Sequence, residues 1–85
     1  MDDKVLVRLI VPEINMTYDV YLPITKKIGN IIILLNKAVN ELSLGSFPLS
    51  NTNKLYNARS NEKYPSDVLL YNTNIRNGTH LILVS

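Results

Sequence analysis

The sequence predicts an α+β fold in which a mixed β-sheet packs on one long helix, in the order ββαβββ. Three observations lead to this prediction. Two β-rich stretches, residues 4–11 and 16–22, are separated by only four residues. Apolar residues then recur at helical spacing between residues 28 and 42, and short stretches punctuated by Gly, Pro and Asn follow. Because the 85 residues contain no visible linker or repeat, we expect one domain over residues 1–85.

The first two strands predict an antiparallel hairpin whose register follows from their side chains. If Val11 lies opposite Met16, Arg8 falls opposite Asp19 and apolar residues pair on both faces. A slip of one residue would turn every side chain to the other face, so the pattern favours this register. The residues expected on the core side are Val5, Val7, Leu9, Tyr18, Val20 and Leu22.

A single amphipathic helix is predicted after the hairpin, with Thr25 in its N-cap region and Gly45 as its stop. Its apolar stripe comprises Ile28, Ile31, Ile32, Leu35, Ala38, Val39 and Leu42. The far side is expected to carry Lys26, Asn30, Lys37, Asn40 and Glu41, with Ile33 among them and Leu34 at the flank. The β-branched isoleucines are weak helix formers, so packing on the hairpin must stabilise this helix.

The second half of the chain predicts short strands joined by turns. Residues 46–53 form a loop that contains Pro48, and residues 54–57 form a third strand. Lys63 and Tyr64 suggest a shorter fourth strand, which Pro65 ends, with residues 59–61 turning between the two. Asn77 and Gly78 form the turn before a last strand, in which Leu81 and Leu83 alternate with Ile82 and Val84.

The composition disfavours most enzyme chemistry. The chain has no cysteine and one histidine, His80, so no convergent set of metal ligands or nucleophile–base pair is visible. Its seven carboxylates are scattered, and no phosphate-binding glycine motif occurs. We therefore expect a protein that is not an enzyme and uses no cofactor or metal. The acidic start, Met1-Asp2-Asp3, and the lack of an 18-residue apolar run predict a complete cytoplasmic chain.

The order of elements and several short motifs resemble ubiquitin-like β-grasp proteins along nearly the whole chain. Gly45-Ser46-Phe47-Pro48 resembles the exit from the ubiquitin helix, and Lys54-Leu55 resembles the start of its third strand. The fit is closer to the bacterial YukD/EsaB-like branch that is associated with type VII secretion. The residues that match this branch are Tyr18, Asp19, Leu22, Pro23, Ile24, Ile31 to Leu35, Leu70, Tyr71, Ile75, Gly78, Leu81 and Leu83. Asn72 departs from its pattern, and residues 46–53 have no counterpart.

The outer face of the predicted sheet is the candidate functional site. If Val7, Leu9, Leu81 and Leu83 point to the helix, their neighbours along the strands point away from it. The resemblance implies that the first and last strands are adjacent and that the third lies beside the last. The outward side chains are then Leu6, Arg8, Ile10, Tyr21, Tyr56, His80, Ile82 and Val84. An apolar group of this kind predicts a protein-docking surface, and the resemblance implies an adaptor that accompanies a type VII-like secretion system.

Other functions stay open at this point. The same face could be covered by a second copy in a homodimer, or Ile33 could be a second contact point. A ubiquitin-like modifier or sulfur carrier would need a C-terminal Gly-Gly, and the sequence ends at Val84-Ser85. A nucleic-acid binder would need a basic stripe, whereas the formal charge is only +2 and the basic residues are dispersed. We therefore favour docking on another protein, without direct insertion into a membrane.

Overall fold

The computed structural model of the chain describes residues 3–85. A four-stranded sheet has the order β2-β1-β4-β3, and one helix covers one of its faces. The elements are β1 (Lys4–Val11), β2 (Met16–Pro23), α1 (Ile28–Leu42), β3 (Lys54–Asn57) and β4 (His80–Val84), with short 3-10 turns at Pro12–Ile14 and Leu70–Asn72. β1 and β4 pair in parallel at the centre of the sheet, and the other pairs are antiparallel. Met1 and Asp2, part of the predicted acidic start, lie outside the described residues.

The predicted hairpin register is confirmed. Val11 pairs with Met16, and Arg8 pairs with Asp19. The turn between the strands is a 3-10 turn that begins at Pro12, whose fixed φ suits a first helical position. Asn15 then adopts a left-handed conformation with φ of 52° and donates its N–H to the Pro12 carbonyl at 3.0 Å.

The hydrophobic core lies between the sheet and α1. Its largest fully buried side chains are Phe47, Leu9, Ile28, Ile31, Leu55, Leu70, Ile75, Leu81, Leu83, Val7, Val11 and Val39. Val5, Val7, Leu9 and Leu22 of the predicted core side are buried, whereas Tyr18 and Val20 are only half-buried. This difference has a positional cause, because β2 is an edge strand and its inner face is covered from one side only.

The predicted N-cap region at Thr25 lies two residues before the observed N-cap. α1 begins at Ile28 with Lys27 in the N-cap position, and no side chain caps it. The first free N–H groups are instead satisfied by a distant segment: Ile28 donates to the Val68 carbonyl at 2.8 Å and Gly29 to the Ser66 carbonyl at 2.9 Å. A helix N-terminus needs partners for these donors, and here the fold supplies backbone carbonyls.

The end of the helix also differs from the prediction. Leu42 is 59% exposed and does not belong to the core stripe. Leu44, with φ of 54°, takes the left-handed position, and Gly45, with φ of 87°, follows it. Leu44 donates to the Glu41 carbonyl and Gly45 to the Asn40 carbonyl, at 3.1 and 2.8 Å. These two bonds form a Schellman motif in which a leucine stands where glycine is usual.

The predicted fourth strand at Lys63 and Tyr64 is not a strand. Lys63 forms a single bridge with Tyr56. Pro65 cannot donate to a ladder, and Asn61 is left-handed with φ of 62°, so extended pairing stops at one bridge. The predicted turn at residues 59–61 is present, and the Asn57 side-chain oxygen accepts the N–H groups of Arg59 and Ser60 in it.

The loop at residues 46–53 belongs to the core rather than to the surface alone. Phe47 is fully buried, and two asparagines of α1 hold the loop backbone around it. Asn36, 3% exposed, donates to the Pro48 carbonyl at 3.1 Å and accepts the Ser50 N–H at 3.0 Å. Asn40 donates to the Phe47 carbonyl at 2.8 Å. The prediction that Asn40 points to the far side of the helix is therefore wrong. Its half-buried amide is stabilised more by the hydrogen bond to the loop than it would be by water.

Candidate protein-docking surface

The candidate site is the face of the sheet that α1 does not cover, called here the outer face. Burial alternates along the strands that form it. Val5, Val7 and Leu9 are buried, while the residues between them are exposed or half-buried. β4 shows the same alternation, with Leu81 and Leu83 buried. The eight predicted site residues therefore have the following exposures: Leu6, Arg8, Tyr21 and His80 are exposed, and Ile10, Tyr56, Ile82 and Val84 are half-buried.

Strand pairing arranges these residues in rows across the sheet. Ile10 pairs with Ile82 across β1 and β4, and Tyr56 pairs with Ile82 across β3 and β4. These three side chains therefore lie side by side on three neighbouring strands, with Val84 next along β4. We call Ile10, Ile82, Tyr56 and Val84 the apolar row. Because all four are half-buried, each already contacts its neighbours and leaves an apolar surface exposed.

A polar row borders the apolar row. Arg8 pairs with Asp19 on one side and with His80 on the other. The Arg8 Nε lies 3.2 Å from the Asp19 carboxylate, and both side chains remain more than half exposed, at 53% and 59%. Solvent screening limits the stability that such a pair contributes, to about 0.2–1 kcal/mol. The ion pair places a guanidinium beside the apolar row.

Leu6 and Tyr21 lie beyond the polar row and form a separate group. They pair with each other across β1 and β2. Residues of one face repeat about every 6.8 Å along a strand, so this pair lies about 14 Å from Ile10 and Thr17. An open depression beside this pair is lined by Leu6, Tyr21, Arg8, His80, Asn77 and Gly78. The outer face thus consists of two apolar groups separated by the polar row, rather than one continuous apolar patch.

The turn before β4 shapes this depression, whereas the sequence predicted only that it connects to the last strand. Asn77 accepts the Leu6 N–H through its side-chain oxygen at 2.8 Å, and Gly78 donates to the Leu6 carbonyl at 2.8 Å. Gly78 has φ of 87°, which a residue with a side chain rarely adopts. The predicted Asn-Gly turn is therefore confirmed. The turn has a second role, because the Asn77 amide oxygen binds the Leu6 N–H of β1. This bond could not be predicted without knowing that β1 and β4 pair in parallel.

Two ionisable groups with perturbed pKa values lie outside the outer face. The N–H and hydroxyl of Ser85 both bind the Glu13 carboxylate at 2.7 Å, and they lower the pKa of this exposed group. Burial raises the pKa of Tyr64, whose hydroxyl donates to Asn74 at 2.7 Å and accepts from Asn57 at 2.9 Å. Both groups tie segments of the fold together. In residues 3–85, no three His, Cys, Asp or Glu side chains converge as metal ligands.

Several exposed apolar side chains were not predicted as a group. Leu34, Leu42, Leu44 and Leu49 are exposed on or after α1, and Ile33 is 50% exposed. The sequence placed Leu34 at the flank of the helix stripe and Leu42 inside it.

No helix of residues 3–85 has the length and apolar character needed to span a bilayer.

Comparison with known proteins shows the fold. No protein-family model matches the sequence, and no curated protein is significantly similar to it. A chain of the MycP5-free ESX-5 inner membrane complex superposes with a TM-score of 0.79 at 20% identity, and the match covers 98% of this chain and 21% of that one. A chain of the toluene 4 monooxygenase HD complex gives 0.71 at 11% identity and covers 94% and 95%.

A third structure carries the predicted family resemblance. The ubiquitin-like domain of the type VII secretion system protein ECCD1 from Mycobacterium tuberculosis matches over 100% of both chains, with a TM-score of 0.63 at 15% identity. The protein therefore has a ubiquitin-like β-grasp fold, as predicted, and its structural neighbours include a type VII secretion domain. It spans about a fifth of the length of the ESX-5 chain, 21%.

Proposed function

We propose that this protein is a ubiquitin-like interaction module that docks on another protein through the apolar row of its outer face. The observation that carries the proposal is the arrangement of Ile10, Ile82 and Tyr56 side by side on three strands. The proposal assigns no chemical reaction to the chain. The likeness of this protein to the ECCD1 domain makes a component of a type VII-like secretion apparatus the candidate partner. The candidate location is the bacterial cytoplasm.

The chemistry of the outer face supports docking. An aromatic ring between aliphatic side chains supplies the apolar area that interface centres bury. Arg8, held by Asp19, stands at the margin of the apolar row, where a charged group adds selectivity and steers association. Tyr56 and Arg8 would anchor the partner, while Ile10, Ile82 and Val84 would bury apolar area.

The neighbours support a role inside larger assemblies. The ESX-5 chain and the toluene 4 monooxygenase chain both come from structures described as complexes. These likenesses concern the fold, so they make a docking role reasonable without identifying the partner. An adaptor that uses one face of a small sheet is the simplest function that fits both the fold and the apolar row.

The test is a pull-down from lysate of the source cells, followed by mass spectrometry. Ile82→Asp places a charge in the centre of the apolar row and should reduce capture of the partner at least tenfold, and Tyr56→Ala should also weaken it. Ile33→Asp is the matched control, because it introduces the same charge on the half-exposed helix surface. Capture that survives both row variants would refute the proposal, and loss only with Ile33→Asp would move the docking surface to the helix.

A further inference from the structure

β2 is a long open edge of the sheet. The strand order places β2 and β3 at the two edges. β3 has only four residues, and its outer side is partly paired, since Tyr64 donates to the Leu55 carbonyl and Lys63 bridges Tyr56. β2 has eight residues, and no segment of residues 3–85 pairs along its outer side. An edge of this length is a template for another strand.

The free hydrogen-bonding groups of this edge can be identified. Leu6 accepts from Gly78, and Arg8 donates to Thr79, so the backbones of these β1 residues point toward β4. The alternate residues of β1 must therefore bond to β2. In the observed register, this leaves the N–H and C=O groups of Thr17, Asp19 and Tyr21 directed outward.

The edge lacks the usual protection against pairing. Natural edge strands carry lysines, prolines, glycine bulges or inward charges. Residues 16–22 of β2 contain no lysine, proline or glycine. The one charged residue in this range, Asp19, is paired with Arg8 on the outer face. Only Pro23 interrupts the strand, at its end.

Apolar side chains that are not fully buried lie along this edge on the helix side of the sheet. Met16, Tyr18 and Val20 of β2 point to this side and are not fully buried. The flank of α1 that carries Asn36 and Asn40 is bound to the loop before β3, so the opposite flank lies toward β2. That flank carries Leu34, which is 51% exposed. Any strand added to the edge would cover these side chains.

We propose that two copies of this protein pair through β2, antiparallel, about a twofold axis at Val20, so that the two sheets form one. The side chains of β2 alternate between the helix side and the outer face, so β2 of a second copy could continue both faces of the sheet. In this register Tyr18 lies opposite Leu22 of the second copy on the helix side. Asp19 of one copy and Tyr21 of the other exchange main-chain hydrogen bonds, and their side chains lie on the outer face. The proposal is separate from the docking role of the apolar row.

Two alternative registers are less favourable. An axis at Asp19 would place two carboxylates directly opposite each other, which destabilises a strand pair. An axis at Tyr18 would place Tyr21 opposite Asn15, which is left-handed and outside the strand, so its main-chain groups would stay unpaired. The axis at Val20 avoids both costs and uses the outward groups of Asp19 and Tyr21, while Thr17 lies opposite Pro23, which can accept its N–H and has none to donate.

The size of the contact predicts a weak dimer. Eight strand residues span about 27 Å, and the sheet and helix layers together are about 20 Å thick. Each copy would bury roughly 500 Å², or about 1,000 Å² for the pair, which lies at the low end for specific interfaces. We therefore expect dissociation constants in the range of about 10 μM to 1 mM, and a dimer that forms reversibly with concentration.

Single cysteines test the pairing and its register on the purified full chain, which has no cysteine of its own. Residues on the axis of a non-hydrogen-bonded antiparallel pair have Cα atoms about 4.5 Å apart, within the range that a disulfide spans. Val20→Cys should therefore form a disulfide-linked dimer under mild oxidation at least tenfold faster than Tyr18→Cys, whose copies would lie about 14 Å apart along the strands. Circular dichroism of the reduced variants checks their fold.

Sedimentation gives a second measurement that needs no cross-link. The wild type should shift from monomer to dimer between about 10 μM and 1 mM, and Val20→Lys should remain monomeric over the same range. Faster cross-linking of Tyr18→Cys would overturn the proposed axis. A wild type that is monomeric throughout, with no preference for Val20→Cys, would overturn the homodimer and leave the edge to a strand of another protein.

Discussion

Replacement of Asn36 by alanine should lower the free energy of unfolding by about 2 kcal/mol. The Asn36 amide makes two bonds to the loop that carries Phe47, to the Pro48 carbonyl and the Ser50 N–H. Each backbone group that loses its partner costs about 1–3 kcal/mol, and we take the lower half because the bonds are partly buried. The higher helix propensity of alanine returns about 0.5–0.7 kcal/mol.

Urea denaturation followed by circular dichroism measures this loss. For a domain of this size the slope is about 1 kcal/mol per M urea, so the Asn36→Ala midpoint should fall by about 2 M. Asn30→Ala is the matched control, because Asn30 is exposed on the same helix and loses only solvent contacts. An Asn36→Ala midpoint within about 0.5 M of the wild type would refute the claim that this amide anchors the loop.

Two further predictions concern strain and pH. Leu44 is 94% exposed and left-handed, so Leu44→Gly should raise the free energy of unfolding by about 0.5–1 kcal/mol, whereas Leu44→Ala should not; a lower urea midpoint for Leu44→Gly would contradict this. Ser85 lowers the pKa of Glu13 in the folded state, so the stabilisation is present above the ordinary value of 4.5 and disappears as the pH falls through the lowered pKa. In an NMR titration, Ser85→Ala should raise the pKa of Glu13 only part of the way, because the stronger backbone bond remains; an unchanged pKa would contradict the hydroxyl contribution.

The hairpin could be predicted because its information is local. Two alternating strands, one opposite-charge pair and a four-residue connection allow a single register that buries one face, and the structure has that register. The start of α1 could not be predicted in the same way. Its first N–H groups are bound by carbonyls of Val68 and Ser66, almost forty residues further along the chain. A sequence pattern near Thr25 contains no trace of this capping.

The candidate surface was predictable in its members and not in its arrangement. Alternation in β1 and β4 identified which side chains point away from the helix, since each strand repeats every two residues. Their division into rows depends on how β1 and β4 are aligned, and these strands lie at opposite ends of the described chain. Only that parallel pairing places His80 beside Arg8 and Ile82 beside Ile10. The position of the polar row between the two apolar groups follows from this pairing.

The two proposals are independent in their tests but would act together. Pairing through β2 would place both outer faces on the same side of one extended sheet. Ile82 of each copy would then lie five strand spacings, about 24 Å, from its counterpart across the sheet and about 20 Å from it along the strands, or about 31 Å in all. A partner that itself has twofold symmetry could bind both apolar rows at once, and the second contact would form at a high effective concentration. A weak β2 contact could in this way increase the affinity of a small docking surface for a symmetric assembly while leaving its affinity for a monomeric partner unchanged.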